Sequence, residues 1–179
     1  MYRHDRLAYL KKSYSTAREQ GYIVGAKIVR GAYMEKERAR AKANNYPSPI
    51  QKDKATTDRD YNAAIRFCIE NYQFIAFCNA SHNIESNLLL AQLIVKKGIA
   101  KNHPHFRFCQ LYGMSDQITF NLAAVGFNAM KYLPYGQIKE VIPFLIRRAQ
   151  ENTAINGEMG REYRLLLEEQ QRRKNTTID

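Results

Sequence analysis

Apolar positions along the chain fall into two alternating patterns. Short apolar runs of strand character occupy residues 21–29 (GYIVGAKIV), 72–80 (YQFIAFCNA), 105–112 (HFRFCQLY) and 128–133 (NAMKYL), and a longer stretch with helical spacing follows each. Helices are predicted over residues 5–20, 34–44, 57–71, 84–97, 116–125, 137–151 and 158–174, with Gly21, Gly98 and Gly126 stopping three of them. Strands that alternate with helices imply parallel pairing, because the helix supplies the crossover. Four strands with their helices make half of an eight-stranded barrel, and a half barrel leaves two strand edges unpaired and its inner face open. The pattern points to a fragment, or to a protomer completed by another chain.

Residues 44–57 (NNYPSPIQKDKATT) break the alternation with two prolines and mixed polar residues, and read as a loop that covers something. No repeat and no flexible linker interrupts the rest. The chain therefore reads as a single partial domain over 1–179, with a preceding helix at 1–20, βα units at 21–152 and a C-terminal helix and tail at 153–179. A composition of 45% hydrophobic and 25% charged residues fits a soluble globular domain. No run approaches the ~18 apolar residues of a membrane span, and the start lacks the apolar core of a signal peptide. The expected location is cytoplasmic, or peripheral at the inner face of a membrane. Cys68, Cys78 and Cys109 lie far apart in apolar runs, which suits buried free thiols and no metal site. The formal charge of +11 raises a nucleic-acid or membrane-surface binding module as one reading. Much of the excess sits at 6–18, 35–42 and 161–174, where acidic residues are interleaved as on solvated helix faces, so no nucleic-acid partner is expected.

In parallel α/β folds ligands bind at the carboxyl ends of the strands, where loops and helix amino ends converge. Those ends read KIVRGAY (27–33), NASHN (79–83), CQLYGMSD (109–116) and KYLPYG (131–136), all rich in polar, aromatic and glycine residues. Arg30-Gly31-Ala32 would set a guanidinium beside a backbone that a phosphate can approach, or form an ordinary turn with a surface Arg. Lys27 reads either as an amine near reactive chemistry, including a Schiff-base lyase, or as a strand residue whose head snorkels to water. His82 can face the pocket between Ser81 and Asn83, or simply neighbour the residue that caps the next helix. Further on, Phe144, Arg148 and Glu151 share one helix side with Arg147 close by. Paired arginines can grip a carboxylate in bidentate fashion, or form a solvated face with Glu151. Pro143 removes a backbone donor and predicts a kink, or a helix that begins near Ile142.

The blocks KIVRGAYMEKERARA, YPSPI, TTDRDYNAAIRFC, ASHNIESN, QLYGMSDQITFNLA, KYLPYG and PFLIRRAQENT occur in the order and approximate spacing of one family. In these blocks the chain resembles the C-terminal half of the proline dehydrogenase domain, from about residue 21 to 173. The resemblance implies an α/β fold, the C-terminal half of a TIM-like (β/α)8 barrel. It also implies non-covalent FAD, oxidation of L-proline to 1-pyrroline-5-carboxylate and transfer of electrons to a membrane quinone, at the mitochondrial inner membrane in a eukaryote. It assigns Lys27, Arg30, Gly31, Ala32, Ser81, His82 and Asn83 to the cofactor, with Glu151 holding its helix. It assigns Arg147, Arg148, Tyr132, Leu111 and Phe144 to the substrate, and Lys27 and Tyr132 to the catalytic centre. Phe144 stands where many members have Tyr, which removes a hydroxyl. The family's early barrel strands, with a substrate-contacting Lys and a catalytic-site Asp, have no counterpart in these blocks, so the chain is expected to be a fragment.

Overall fold

The computed structural model describes residues 1–31, 33–154 and 158–176, with the side chains of 149–154 and 158–162 outside that description. Ala32 and the side chain of Glu151 therefore lie outside the described residues. Along the chain come α1 (Arg6–Gln20), β1 (Val24–Ile28), α2 (Met34–Ala43), α3 (Lys54–Glu70), β2 (Ile75–Ala80), α4 (Ile84–Lys96), β3 (Phe106–Leu111), α5 (Asp116–Ala124), β4 (Ala129–Tyr132), α6 (Ile138–Ala154) and α7 (Glu158–Thr176). The four strands pair in sequence order, β1-β2-β3-β4, and every pair is parallel. Sequential parallel strands with helical crossovers are the architecture of half a (β/α)8 barrel.

Period-two alternation decides which face of the sheet is covered. Val24, Ala26 and Ile28 of β1, Ile75 and Phe77 of β2, and Phe106 and Phe108 of β3 pack toward the helices. The helices answer with Tyr61, Ile65, Cys68 and Ile69 from α3 and Leu90 and Ile94 from α4, all within the same buried cluster. Phe77 meets Phe106 edge-on at 5.4 Å between ring centroids, and Phe108 meets Phe127 at the same distance. Aromatic pairs of this geometry add about 0.5–1.5 kcal/mol beyond the area they bury. Gly25, Lys27, Ala76, Cys78, Arg107, Cys109, Met130 and Tyr132 occupy the alternate positions and line the opposite face. Burial drives the Cys68 thiol up to about 12, which fits an inert core thiol, and all three cysteines are free.

One helix start differs from the sequence expectation by a full turn, and a second settles a choice left open. Helix α3 begins at Lys54 and not at Thr57, because Asp53 caps it: the Asp53 carboxylate accepts from the Thr56 N–H at 2.7 Å, and the Thr56 hydroxyl returns to the Asp53 N–H. Asp53→Ala is expected to lower stability by about 1 kcal/mol, read as a shift in the urea midpoint of unfolding. Helix α6 begins at Ile138, within one residue of the predicted 137, and runs through Pro143, so of the two readings of the proline the start near Ile142 falls away. Main-chain bonds from Glu140 and Val141 to the Gln137 carbonyl form its first turn ahead of the proline. Helix α1 ends where expected, at Gly21, whose left-handed φ of 73° turns its N–H back onto the last turn.

The irregular segment before α3 does cover something. Residues 49–51 pair antiparallel with the first residues through an Arg3–Ile50 bridge, and the Gln51 N–H donates to the Tyr2 carbonyl at 2.8 Å. Ile50 is buried there, and Gln51 Nε2 donates to Asp60 Oδ2. On the charged stretches, Arg38 pairs with Glu35 along α2, and Arg172 and Arg173 both reach Glu169 along α7. Among the described residues, no helix is long and apolar enough to cross a membrane.

The chain divides into two compact units, Met1–Tyr132 and Leu133–Asp179. The first holds the sheet with α1 to α5, and the second holds α6 and α7, which contact each other.

Candidate functional site

Lys27 and Tyr132 lie on the first and last strands of the sheet, yet the Lys27 ammonium sits 4.3 Å from the Tyr132 ring centroid. Three interstrand spacings would hold flat strands about 14 Å apart. Contact between their side chains requires the sheet to curl around the face that carries both. On that face Cys78 of β2 and Cys109 of β3 are diagonal neighbours, and the Cys109 thiol is held below its usual range by the Cys78 thiol and by the Lys27 and Lys131 cations. A shallow depression of about 490 Å³ lies lower on the same face, lined by Lys27, Cys78, His105 and Arg107 among others. It sits toward the amino ends of the strands, away from the loops that carry the candidate site.

Just beyond β1, the Arg30 guanidinium is fixed on four sides. Its Nε donates to Asp58 Oδ1 at 2.7 Å, one terminal nitrogen donates to Ser81 Oγ at 2.7 Å, and the other donates to Ser86 Oγ at 2.5 Å. Its carbon lies 4.0 Å from the Tyr61 ring centroid, so the planar group is stacked as well as bonded. Partial burial pushes the Asp58 carboxyl up, but hydrogen bonds from Lys54 and Arg30 outweigh it and hold the group below its ordinary value. Three of the five guanidinium N–H donors are thus engaged by protein. Gly31 follows, and a Cβ there would meet Met34 Sδ at 3.1 Å, so a side chain at this turn would have to push Met34 aside.

At the end of β2, Asn83 is the N-cap of α4, its side-chain oxygen accepting from the Ser86 N–H at 2.9 Å. Ser81 Oγ accepts from the Asn83 N–H and from Arg30, which ties the β1 and β2 ends together. His82 Nδ1 lies 3.0 Å from Ser115 Oγ. Ser115 is buried and has a left-handed φ of 52°, a conformation costly for a non-glycine residue and one that clusters at functional sites. Lys131 braces the same loop, donating to the Met114 carbonyl and pairing with Asp116, each at 2.6 Å.

Leu111 ends β3 directly opposite Tyr132 in the register, with both on the curled face. In the second unit, the Arg148 guanidinium carbon lies 5.2 Å from the Phe144 ring centroid, one helical turn away on α6. Arg147 and Arg148 are both half-buried. In the first unit the structure therefore brings together Lys27 with Tyr132, Arg30 with Ser81, and Ser81 with Asn83. In the second it brings Phe144 to Arg148.

Asp58, Tyr61, Ser86, Ser115 and Lys131 are the residues that the sequence reading did not single out. Asp58 and Tyr61 stand three apart in TTDRDYN, one turn of α3, and that spacing was the available signal. Nothing local marks Ser115, since its role depends on a backbone twist.

A curled parallel sheet with helical crossovers, and with cationic, hydroxyl and aromatic groups gathered at its carboxyl ends, has the layout of part of a βα barrel. The family model described as Proline dehydrogenase matches residues 1–161. The chain belongs to the proline dehydrogenase family. It is 40% identical over 168 residues to Proline dehydrogenase 1, mitochondrial, of Drosophila melanogaster, covering 88% of this chain and 24% of that protein. It is 39% identical over 176 residues to Hydroxyproline dehydrogenase of Xenopus laevis, covering 96% of this chain and 38% of that protein. Among solved structures, proline utilization A from Bdellovibrio bacteriovorus, inactivated by N-propargylglycine, superposes with a TM-score of 0.79 at 29% identity. That match covers 85% of this chain and 16% of the other. The chain thus spans well under half the length of the relatives it matches.

Proposed function

We propose that the protein containing this chain oxidises L-proline to 1-pyrroline-5-carboxylate with FAD as its cofactor and passes the electrons to a membrane quinone. Family membership supports the substrate class. The observation that carries the chemistry is the Lys27–Tyr132 contact, a cation held against an aromatic ring on the curled face beside the Arg30 turn. The donor set fits a flavin dinucleotide. Arg30 has donors beyond its three protein bonds, Gly31 leaves the backbone approachable, and His82 and the amino end of α4 add polarity suited to phosphate oxygens. In this reading Arg30, Gly31, Ala32, Ser81, His82 and Asn83 hold the cofactor. Lys27 places its charge near the ring edge, and Glu151 steadies its own helix.

Bound flavin supplies the acceptor for the hydride that leaves C5 of proline as the ring nitrogen forms the C=N bond. By the family resemblance, Tyr132 and Leu111 are assigned to the proline ring, and Arg147 and Arg148 to its carboxylate. Phe144 lies under Arg148 and orients it. Holding a reacting carbon in place and keeping water away are worth several kcal/mol of barrier in reactions of this type. The basic helix faces suit a peripheral position on an anionic membrane surface, the mitochondrial inner membrane in a eukaryote.

The test uses the full-length polypeptide. It should purify with an oxidised-flavin absorption spectrum that bleaches on anaerobic addition of proline and recovers with a quinone analogue. A colourless protein in which borohydride traps substrate on Lys27 would replace this reading with a Schiff-base lyase. Parallel assays with hydroxyproline decide between the two substrates named by the relatives.

A further inference from the structure

Behind the strand ends, on the face covered by helices, runs a chain of buried polar side chains that the reaction does not use directly. The Tyr61 hydroxyl lies 3.2 Å from the Ile28 carbonyl and donates to Asn79 Oδ1 at 2.7 Å. Asn79 Nδ2 donates to Asn87 Oδ1 at 2.9 Å. Asn87 Nδ2 donates to two main-chain carbonyls, Ser81 at 3.0 Å and Asn83 at 2.8 Å. Gln110 Nε2 reaches the same Ser81 carbonyl at 3.1 Å, and Thr119 Oγ1 donates to Gln110 Oε1 at 2.8 Å. Tyr61, Asn79, Asn87, Gln110 and Thr119 are all buried.

The direction of every bond in this chain is forced. Carbonyl oxygens only accept, so Asn87 must turn its nitrogen to Ser81 and Asn83, and its oxygen then faces Asn79. Asn79 in turn must face Tyr61 with its oxygen. Gln110 is fixed in the same way, nitrogen toward Ser81 and oxygen toward Thr119. One hydrogen-bond pattern therefore grips the Ser81-His82-Asn83 turn from behind at two carbonyls. At its other end Tyr61 lies under the Arg30 guanidinium, which is itself bonded to Ser81.

We propose that Tyr61, Asn79, Asn87, Gln110 and Thr119 are positioning residues that hold the Arg30 turn and the Ser81-His82-Asn83 turn in one fixed spacing before the flavin arrives. This rests on the flavin-binding reading above. A prearranged cradle lowers the ordering cost of binding, so the effect falls on cofactor affinity and not on substrate affinity.

Asn87→Asp keeps size and shape but turns an oxygen toward the two carbonyls, while Thr119→Val keeps shape and releases Gln110 Oε1 together with a longer, 3.4 Å contact to the Ser115 carbonyl. Both are made in the full-length protein. The dissociation constant of FAD for the apoprotein is measured by flavin fluorescence quenching, alongside the urea midpoint and the KM for proline. The expected results are a rise in the flavin dissociation constant of about tenfold or more for Asn87→Asp and about threefold or more for Thr119→Val, with the KM for proline within about twofold of the unaltered protein. Smaller rises, with or without a lowered urea midpoint, overturn the proposal and leave these residues a purely structural role. If Asn87→Asp does not fold, the Thr119→Val threshold decides. Failure of the unaltered protein to take up flavin or oxidise proline would instead sink the functional reading, an outcome distinct from unchanged affinity in the variants.

Discussion

Replacing Arg147 and Arg148 together by methionine is expected to raise the KM for proline about a hundredfold in the full-length enzyme, with flavin content unchanged. Charge-assisted hydrogen bonds to a carboxylate are worth about 1.5–3 kcal/mol each, so two arginines supply ~3–6 kcal/mol, and a hundredfold is the lower end of that range. Methionine preserves the apolar stem of each side chain, which separates loss of charge from loss of packing. Arg148→Lys is expected to recover only part of the affinity, because an ammonium cannot reproduce the planar fork and stacks less well on the Phe144 ring 5.2 Å away. Steady-state kinetics with proline decide the matter. An unchanged KM in the double variant would remove the carboxylate clamp from the mechanism.

The second large effect is expected at Arg30. Arg30→Leu strips Asp58 of one of its two cationic partners, uncovers the face of Tyr61 and cuts the tie between the β1 and β2 ends. Breaking a buried pair costs more than the pair contributes, but this one is about a quarter exposed to solvent, so about 2 kcal/mol is the appropriate scale. Flavin uptake should fall with it. The penalty carries a sign in pH. The Asp58 carboxyl is depressed below its ordinary value of 3.8 in the folded state, so its contribution is fully present above that value and is lost as pH falls through the depressed one. Urea midpoints of the two proteins should differ at pH 7 and draw closer in acid, the remaining gap being the Ser81, Ser86 and Tyr61 contacts that do not titrate. Equal midpoints at pH 7 would show that Arg30 is not held as described.

Residues far apart in sequence explain why part of this site was legible beforehand and part was not. Strand positions announced themselves, because Ile75, Phe77, Phe106 and Phe108 repeat at the spacing that faces one side of a sheet, and four of the seven family blocks sit at the strand ends. His82 and its neighbours could be placed on the right turn, and the structure resolves which of them caps α4. Arg30 could be recognised as a candidate, but its partners Asp58 and Ser86 are 28 and 56 residues away, and no local pattern links them. Asn79 and Gln110 look like interruptions of apolar strands until Tyr61 and Thr119 are found opposite them. The early start of α3 was missed because Asp53 stands among charged loop residues, where a cap is hard to tell from a solvated carboxylate.

The polar layer at the strand ends also bears on how the chain finds its register. Below it, β2 and β3 present Ile75, Phe77, Phe106 and Phe108, side chains similar enough that a slip of two residues would still bury oil against oil. Buried Gln110 of β3 donates its Nε2 to the Ser81 carbonyl at the end of β2, so the same slip would leave that amide without its partner at a cost of about 1–3 kcal/mol. The rings supply most of the cohesion and accept several alignments. The amides accept one, and so act as the address that tells two greasy strands where to stop.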